Sequence, residues 1–155
     1  MSDKIKVLDY KQSDNEYLHK DFHGALCYAI KYIDERYGFE ATNNYLQMVG
    51  KNIYPPLIAR IKKDGLVALV LHFKNIFELE GGKVEIVYGG NRLTIKVHEC
   101  PAIKHLRKTK QLYTHRYCET TVQINKAICQ AADYNCTCAY KPGQAQCVQQ
   151  FWGTE

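Results

Sequence analysis

The sequence lacks long apolar runs and any strong excess of one charge. Its longest apolar run, residues 66–71, has six residues, whereas a membrane-spanning helix needs about 20. No apolar stretch follows the charged N-terminal residues, so we expect no signal peptide. The net charge of +5 is too weak for a dedicated nucleic-acid binder. We therefore expect a cytoplasmic protein that acts on neither membranes nor nucleic acids.

Cysteine is scarce in one part of the chain and frequent in another. The seven cysteines are too few for a small disulfide scaffold, in which they exceed roughly 8–10% of residues. Only Cys27 lies in the first 99 residues. The last third contains the others, which are Cys100, Cys118, Cys129, Cys136, Cys138 and Cys147. In the cytoplasm thiols stay reduced, so such a group indicates metal binding, catalysis or simple burial.

Composition and hydrophobic periodicity predict an α+β fold. The chain is 46% apolar and 24% charged, as in globular proteins, and its length predicts one domain, residues 1–155, with 1–12 as an extended or flexible arm. Helical spacing predicts helices at about 14–38, 39–53, 57–64, 66–79, 102–110 and 119–133. Alternation predicts strands at 84–88, 93–97, 134–140 and 145–151. We expect a helical N-terminal half packed on an antiparallel sheet, with the cysteine-rich C-terminal third completing it.

The C-terminal hairpin gathers several cysteines. Strand alternation places four residues on one face, namely Tyr134, Cys136, Cys138 and Tyr140. If the loop has two residues, Pro142 and Gly143, Cys138 lies opposite Cys147 and Cys136 opposite Gln149, whereas a longer loop shifts this register. One stripe of the preceding helix also carries cysteines, and its members are Cys118, Thr121, Asn125 and Cys129.

Three cysteines occupy positions where chemistry is expected. Cys100 lies between a strand and a helix that starts at Pro101. Cys118 lies at a helix start, where the helix dipole lowers a thiol pKa, and Cys147 lies on the closing hairpin. We expect the three thiols to be neighbours around one pocket, whereas Cys27 and Cys129 are expected to be packing residues. The alternative is that all are inert, buried cysteines.

At these residues the chain resembles the L-2-amino-thiazoline-4-carboxylic acid hydrolase-like family. The motifs are Cys100-Pro101-Ala102, Tyr117-Cys118-Glu119, Asn125, Ala127, Ala132-Asp133-Tyr134, Gly143, Cys147 and Phe151. Segments 22–38 and 50–54 also match, so the resemblance covers roughly residues 15–152. It implies a helical N-terminal half, a cysteine-bearing C-terminal half and hydrolysis of a cyclic carbon–nitrogen bond. The type substrate is 2-amino-thiazoline-4-carboxylate, which is opened to N-carbamoyl-cysteine.

The chemistry of this reaction predicts the site residues. A thiolate that attacks the amidine-like ring carbon needs a lowered pKa and a nearby base. The predicted catalytic residues are Cys100, Cys118, His98 and Glu119. The predicted substrate-binding residues are Asn125, Arg116, Cys147 and His115, since a cation such as Arg116 suits a substrate carboxylate.

Three alternatives remain open. A more distant resemblance to 4-vinyl reductase-type domains implies a non-catalytic sensor or carrier of small molecules. Zinc is the alternative to an expected absence of cofactor, because His98-x-Cys100 and His115-x-x-Cys118 offer nitrogen and sulfur ligands, although no Cys-x-x-Cys pair is present. The third alternative is a structural domain that pairs into a homodimer.

Overall fold

The computed structural model describes residues 20–154. The predicted arm, residues 1–12, and the start of the first predicted helix lie outside these residues. The helices are α1 (Phe22–Tyr37), α2 (Phe39–Ile53), α3 (Pro55–Asp64), α4 (Leu66–Glu80), α5 (Pro101–Lys108) and α6 (Glu119–Ala131). The strands are β1 (Lys83–Gly89), β2 (Arg92–Glu99), β3 (Tyr134–Tyr140) and β4 (Cys147–Gly153). The predicted α+β class is confirmed.

Helix boundaries follow glycine and proline, as the sequence predicts. Gly38 and Gly65 take positive φ angles of 86° and 68° at the ends of α1 and α3, conformations that glycine adopts without strain. Pro55 and Pro101 occupy the first turns of α3 and α5, where a missing N–H costs no hydrogen bond. Three predicted helices are too long, since residues 20–21, 109–110 and 132–133 form turns.

The four strands form one antiparallel sheet in the order β1-β2-β4-β3. The predicted register of the last hairpin is wrong by two residues: Cys138 lies opposite Gln149, and Cys147 lies opposite Tyr140. The connecting loop spans residues 141–146 and includes Ala145 at φ 55°. Pro-Gly does not suit the primed turns of two-residue hairpin loops, so β4 begins at Cys147 rather than at residue 145.

The helices cover one face of the sheet. Leu93, Ile95 and Phe151 are buried on that inner face and pack with Leu69 and Ile128 of the helices, each burial contributing about 1.5–3 kcal/mol. A second buried cluster joins α1 to α5 through Cys27, Ile30, Ile103, Leu106 and Tyr117. Burial of Cys27 and Cys129 confirms their packing role. Within residues 20–154, no helix is long and apolar enough to cross a membrane.

Candidate functional site

The cysteines of the hairpin face the helices, as alternation predicts. Burial alternates along β3, so that Cys136 and Cys138 are half-buried while Asn135 and Thr137 are exposed. On β4, Cys147 and Gln149 point to the same inner side, because the intervening Val148 is exposed. The hairpin therefore presents a row of thiols and one amide to α6.

A chain of buried amides leads from α6 to Cys147. The Asn125 side-chain amide donates from Nδ2 to Oε1 of Gln149 over 2.8 Å. The Gln149 amide then donates from Nε2 to Sγ of Cys147 over 3.5 Å. Only 4% of Gln149 is exposed, so both ends of its amide are fixed inside the protein. Burying an amide is unfavourable unless it is hydrogen-bonded, and these contacts supply the compensation while orienting a donor at the sulfur.

The surroundings of Cys147 stabilise its thiolate form. A hydrogen bond from the Cys138 thiol and the Gln149 donor lower the pKa of Cys147 to about 7, against the opposing effect of burial. The same hydrogen bond raises the pKa of Cys138, with burial adding to the effect. The pair therefore holds one proton on Cys138 and negative charge on Cys147 near neutral pH. A thiolate near its pKa at ambient pH is an effective nucleophile.

Cys100 and Cys118 lie close to Cys147 but are not activated. The backbone N–H of Cys100 donates to the carbonyl of Ala145, 2.7 Å away, which ties the start of α5 to the loop before β4. Burial raises the pKa of the Cys100 thiol, although the N–H groups of Ile103 and Ala102 oppose it. Burial, followed by the charges of Cys100 and Cys147, raises the pKa of Cys118 to about 12.

The expected lowering of the Cys118 pKa by the helix dipole is therefore wrong. Cys118 does precede α6, but desolvation and neighbouring negative groups outweigh the dipole. The charges of Cys100 and Cys147 act on Cys118, and that of Cys147 acts on Cys100. The three thiols differ in pKa, since burial raises those of Cys100 and Cys118 while hydrogen bonds lower that of Cys147.

Glu119 contacts Tyr140, the residue that pairs with Cys147 across the hairpin. Its Oε1 accepts a hydrogen bond from the Tyr140 hydroxyl over 2.8 Å, and its Oε2 accepts one from Gln123 over 3.0 Å. Burial and the hydrogen bond to Glu119 raise the pKa of Tyr140, which keeps the phenol protonated. Because Tyr140 pairs with Cys147 across the hairpin, these contacts bring a carboxylate to the same end of the sheet.

Arg116 is occupied by contacts to the first two helices. Its Nε lies 3.4 Å from Oδ2 of Asp34, and its Nη2 donates to Oδ1 of Asn43 over 3.0 Å. The guanidinium also stacks 4.4 Å above the centre of the Phe39 ring and lies 3.9 Å from Glu119. These contacts anchor α1 and α2 to the start of α6, which is a structural role.

The two predicted histidines lie away from the inner face. His98 is on the outer face of β2, is exposed, and lies 3.6 Å from Oε2 of Glu85. His115 is exposed, and its ring contacts Tyr113 with 5.7 Å between centroids. Neither position directs an imidazole toward the sulfur atom of Cys100, Cys118 or Cys147.

A small pocket lies between α4, α6 and β4. Its volume is about 180 Å³, below the roughly 300–1,000 Å³ of pockets for drug-sized ligands. Apolar side chains form most of its wall, including Leu57, Leu69, Phe73, Ile76, Phe77, Ile124 and Ile128. Asn125 and Gln149 line it as well, so the amides that reach Cys147 also face this space.

Two further polar side chains line the same pocket. The hydroxyl oxygen of Thr120 is buried and has no hydrogen-bond partner among residues 20–154, which leaves a donor and an acceptor free for a ligand. Burial, aided by Arg60, lowers the pKa of His72, so this imidazole is neutral at neutral pH. An apolar wall with a few convergent polar groups is typical of a small-molecule site.

A larger depression of about 430 Å³ lies against the outer face of the sheet. It is lined by outward-facing Lys96, His98 and Val148 and borders Cys147 where β4 begins. Neither Asn125 nor Gln149 lines this depression, although Cys147 does. We therefore take the inner pocket together with the hairpin thiols as the candidate site.

A second thiol pair lies further along β3. Cys129 of α6 donates a hydrogen bond to Cys136, which raises the pKa of Cys129 and lowers that of Cys136. Burial opposes the lowering at Cys136, and the charge of Lys126 assists it. This pair borders a cavity of about 350 Å³ between α6 and β3.

The structure groups thiols in pairs rather than in metal-binding sets. Among the residues described, no three histidine, cysteine, aspartate or glutamate side chains are arranged to hold a metal ion. His98 is exposed on the outer face of β2, whereas Cys100 lies past the end of that strand and packs against the buried clusters. Zinc binding therefore stays a hypothesis from the sequence, which elemental analysis of the purified protein tests.

No protein-family model, curated protein or solved structure matches this chain. The resemblance to the thiazoline hydrolase-like family therefore stays a prediction.

Sequence reasoning missed the role of Gln149, Thr120 and His72. Gln149 carried one signal: it shares the strand face of Cys147 and Phe151, a face otherwise occupied by apolar residues. A polar residue at such a position is expected to be hydrogen-bonded. His72 and Thr120 carried no comparable signal, because only the packing of α4 against α6 brings them to the pocket.

Proposed function

We propose that this protein is a hydrolase that opens a cyclic carbon–nitrogen compound, such as 2-amino-thiazoline-4-carboxylate, with Cys147 as its nucleophile. The observation that supports this proposal is the hydrogen-bonded chain Asn125–Gln149–Cys147, in which the buried Gln149 amide donates an N–H to the Cys147 sulfur. A thiol whose pKa is lowered is a candidate for catalysis. Cys147 itself lines the outer depression, and Gln149, its hydrogen-bond donor, lines the inner pocket. The nucleophile in this proposal is Cys147 rather than Cys100 or Cys118, whose pKa values are raised.

The proposed reaction has two steps. The sulfur of Cys147 adds to the ring carbon that carries the amino group, the bond from that carbon to the ring sulfur breaks, and the departing sulfur takes up a proton. Water then replaces sulfur at the carbon, which releases the opened product and restores the thiol. Glu119, held by Tyr140 and Gln123, is the candidate base for this water.

The inner pocket supports a small substrate. About 180 Å³ accommodates a single heterocycle better than a drug-sized ligand. Asn125 and Gln149 offer amide groups to a ring nitrogen or an amino group, and the Thr120 hydroxyl offers a further donor and acceptor. His115 and Arg116 retain their predicted substrate-binding role only if substrate draws them from their present contacts.

Turnover by purified protein tests the proposal. We expect N-carbamoyl-cysteine to form from 2-amino-thiazoline-4-carboxylate, and Cys147→Ser to lower the rate at least tenfold because the hydroxyl is a far weaker nucleophile. Cys129→Ala is the matched control, since it removes a buried thiol of the other pair. Turnover that survives Cys147→Ser would reject the nucleophile assignment.

A second candidate is a non-catalytic small-molecule sensor or carrier. The apolar wall of the inner pocket favours it, because a carrier needs mainly apolar contact and few polar groups. Binding without turnover, measured by calorimetry with the same heterocycle, is the expected result. Ile76→Trp, which fills the pocket, should abolish binding, whereas Leu71→Trp on the exposed side of α4 should not.

We further propose a cytoplasmic location and a homodimeric state. Reduced thiols, on which the proposed chemistry depends, persist in that compartment. The exposed aromatic and apolar side chains of α1 and α2, among them Tyr28, Tyr32, Phe39 and Met48, support self-association. Fractionation of cells and light scattering of the purified protein test the two statements separately.

A further inference from the structure

Cys138 and Cys147 occupy neighbouring strands on the same face of the sheet. Cys138 pairs with Gln149 and Cys147 pairs with Tyr140, so the two cysteines are diagonal neighbours across the hairpin. Their thiols share a hydrogen bond in which Cys138 is the donor. Both are free thiols, and the proposed hydrolysis uses only Cys147.

The geometry lies close to that of a disulfide. Diagonal neighbours on antiparallel strands have Cα atoms about 7–8 Å apart, while disulfides join Cα atoms about 4.4–6.8 Å apart. An approach on the order of 1 Å is therefore needed. Cys147 is the first residue of β4, where it pairs with Val97 of β2 and Tyr140 of β3. The residues before it, 141–146, form a loop outside the sheet, so the approach requires movement at the end of the strand only.

We propose that Cys138 and Cys147 form a dithiol–disulfide pair that reduces small-molecule disulfides. The inference goes beyond the proposed hydrolysis and does not rest on it. It requires a thiolate, a second thiol within reach, and access for a small disulfide, but no heterocycle in the inner pocket.

The exchange balances in two steps. The Cys147 thiolate attacks one sulfur of the small disulfide, which forms a mixed disulfide and releases one small thiolate that takes up a proton. The Cys138 thiol loses its proton and attacks the Cys147 sulfur, which releases the second small thiol and leaves the Cys138–Cys147 disulfide. The small disulfide gains two electrons, and the protein dithiol loses them.

The hydrogen bond between the thiols assigns the order of these steps. While Cys147 is anionic, its hydrogen bond and its charge hold the proton on Cys138. Once Cys147 is in a mixed disulfide, that charge is gone and Cys138 ionises more readily. Cys147 is therefore the attacking thiol and Cys138 the resolving thiol.

Oxidised glutathione is the probe that tests this exchange. The reduced full-length protein is incubated with it without oxygen, quenched with acid and mapped by mass spectrometry. We expect one internal disulfide joining Cys138 to Cys147, with two reduced glutathione molecules released for each one consumed. A disulfide that joins Cys147 to Cys100 or Cys118 instead would overturn the proposal.

Single substitutions separate the two steps. Cys138→Ser should halt the reaction with glutathione attached to Cys147, whereas the control Cys129→Ser should still form the internal disulfide. Glutathione attached mainly to another cysteine in Cys138→Ser would contradict the assignment. The disulfide is mapped without any heterocycle. A native protein that turns over the heterocycle but forms no Cys138–Cys147 disulfide would therefore overturn this proposal alone, and the reverse result would overturn only the hydrolase proposal.

Discussion

The two thiol pairs along β3 have the same composition but different surroundings. In each pair one thiol donates to the other, which raises one pKa and lowers the other. Cys147 also receives the N–H of Gln149, whereas Cys136 has the nearby charge of Lys126, an exposed residue. A buried and oriented donor acts in a low dielectric, while an exposed charge is screened by water. At Cys147 the Gln149 amide thus adds a second donor to the thiol–thiol hydrogen bond that both pairs have.

The pairs also differ in what lies beside them. Cys147 adjoins Cys118 and Cys100 at the end of the sheet where α5 and α6 begin. Cys129 is 1% exposed and belongs to the main hydrophobic core. Cys136 and Cys147 are both half-buried, so the Gln149 donor at Cys147 distinguishes the pairs. We assign chemistry to the Cys138–Cys147 pair and packing to Cys129.

Removing the Cys147 thiol should have the largest effect on reactivity. At pH 7 about half of a thiol with a pKa of about 7 is ionised, against a few per cent of an ordinary cysteine. Cys147→Ser should therefore lower alkylation of the native protein by iodoacetamide at pH 7 about tenfold. Cys136→Ser should cause a smaller loss, and an equal loss would remove the distinction between the pairs.

Removing the amide donor should weaken both the fold and the thiolate. Gln149→Leu leaves the buried Asn125 amide without its acceptor, which should cost about 1–3 kcal/mol in the free energy of unfolding. It should also raise the pKa of Cys147, because one donor to the thiolate is lost. Urea unfolding and pH-dependent alkylation measure the two effects. Gln150→Leu on the outer face is the control and should leave the Cys147 pKa unchanged.

The pH dependence of stability should follow the Cys138–Cys147 pair. Folding lowers the pKa of Cys147 from 9.0 to about 7, so its contribution to stability is present above the unfolded pKa and is lost as pH falls through about 7. Between pH 7 and 9 stability should rise by about 1–2 kcal/mol relative to Cys147→Ser. Above pH 9 the raised pKa of Cys138 reverses the trend, because the unfolded state then releases the additional proton.

Replacing the packing thiol should have the smallest effect on chemistry. Cys129→Ala removes a fully buried sulfur and should cost about 1 kcal/mol of stability. It also removes the hydrogen bond to Cys136, so the pKa of Cys136 should rise while that of Cys147 stays at about 7. A parallel rise at Cys147 would show that the two pairs are coupled along β3.

Local sequence patterns predicted the helices and strands of this fold, but not the hairpin register or the thiol pKa values. Gly38, Pro55, Gly65 and Pro101 marked helix ends in the sequence, and alternation placed Cys136 and Cys138 on one strand face. The hairpin register depended on a loop of six residues rather than two, which local turn preferences did not determine.

The order of the thiol pKa values could not be predicted from local sequence either, because it depends on tertiary packing. Desolvation of Cys118 and the donor at Cys147 depend on how α6 packs against β4, a contact between residues 24 positions apart in sequence. The sequence pattern therefore favoured the thiol at a helix start, Cys118, whereas the lowered pKa is that of Cys147. A helix dipole lowers the pKa of a thiol at an exposed helix end, whereas Cys118 is half-buried and desolvation raises its pKa.

The central claim is that Cys147 is the thiolate of this protein near neutral pH. Its most direct test is alkylation of the folded, reduced protein by iodoacetamide from pH 5 to 10, with modification of each cysteine quantified separately by mass spectrometry. We predict that Cys147 reacts first with a midpoint near pH 7, and that Cys118, with a pKa of about 12, stays unmodified across this range. A midpoint near pH 9 for Cys147, or earlier reaction of Cys100 or Cys118, would contradict the account.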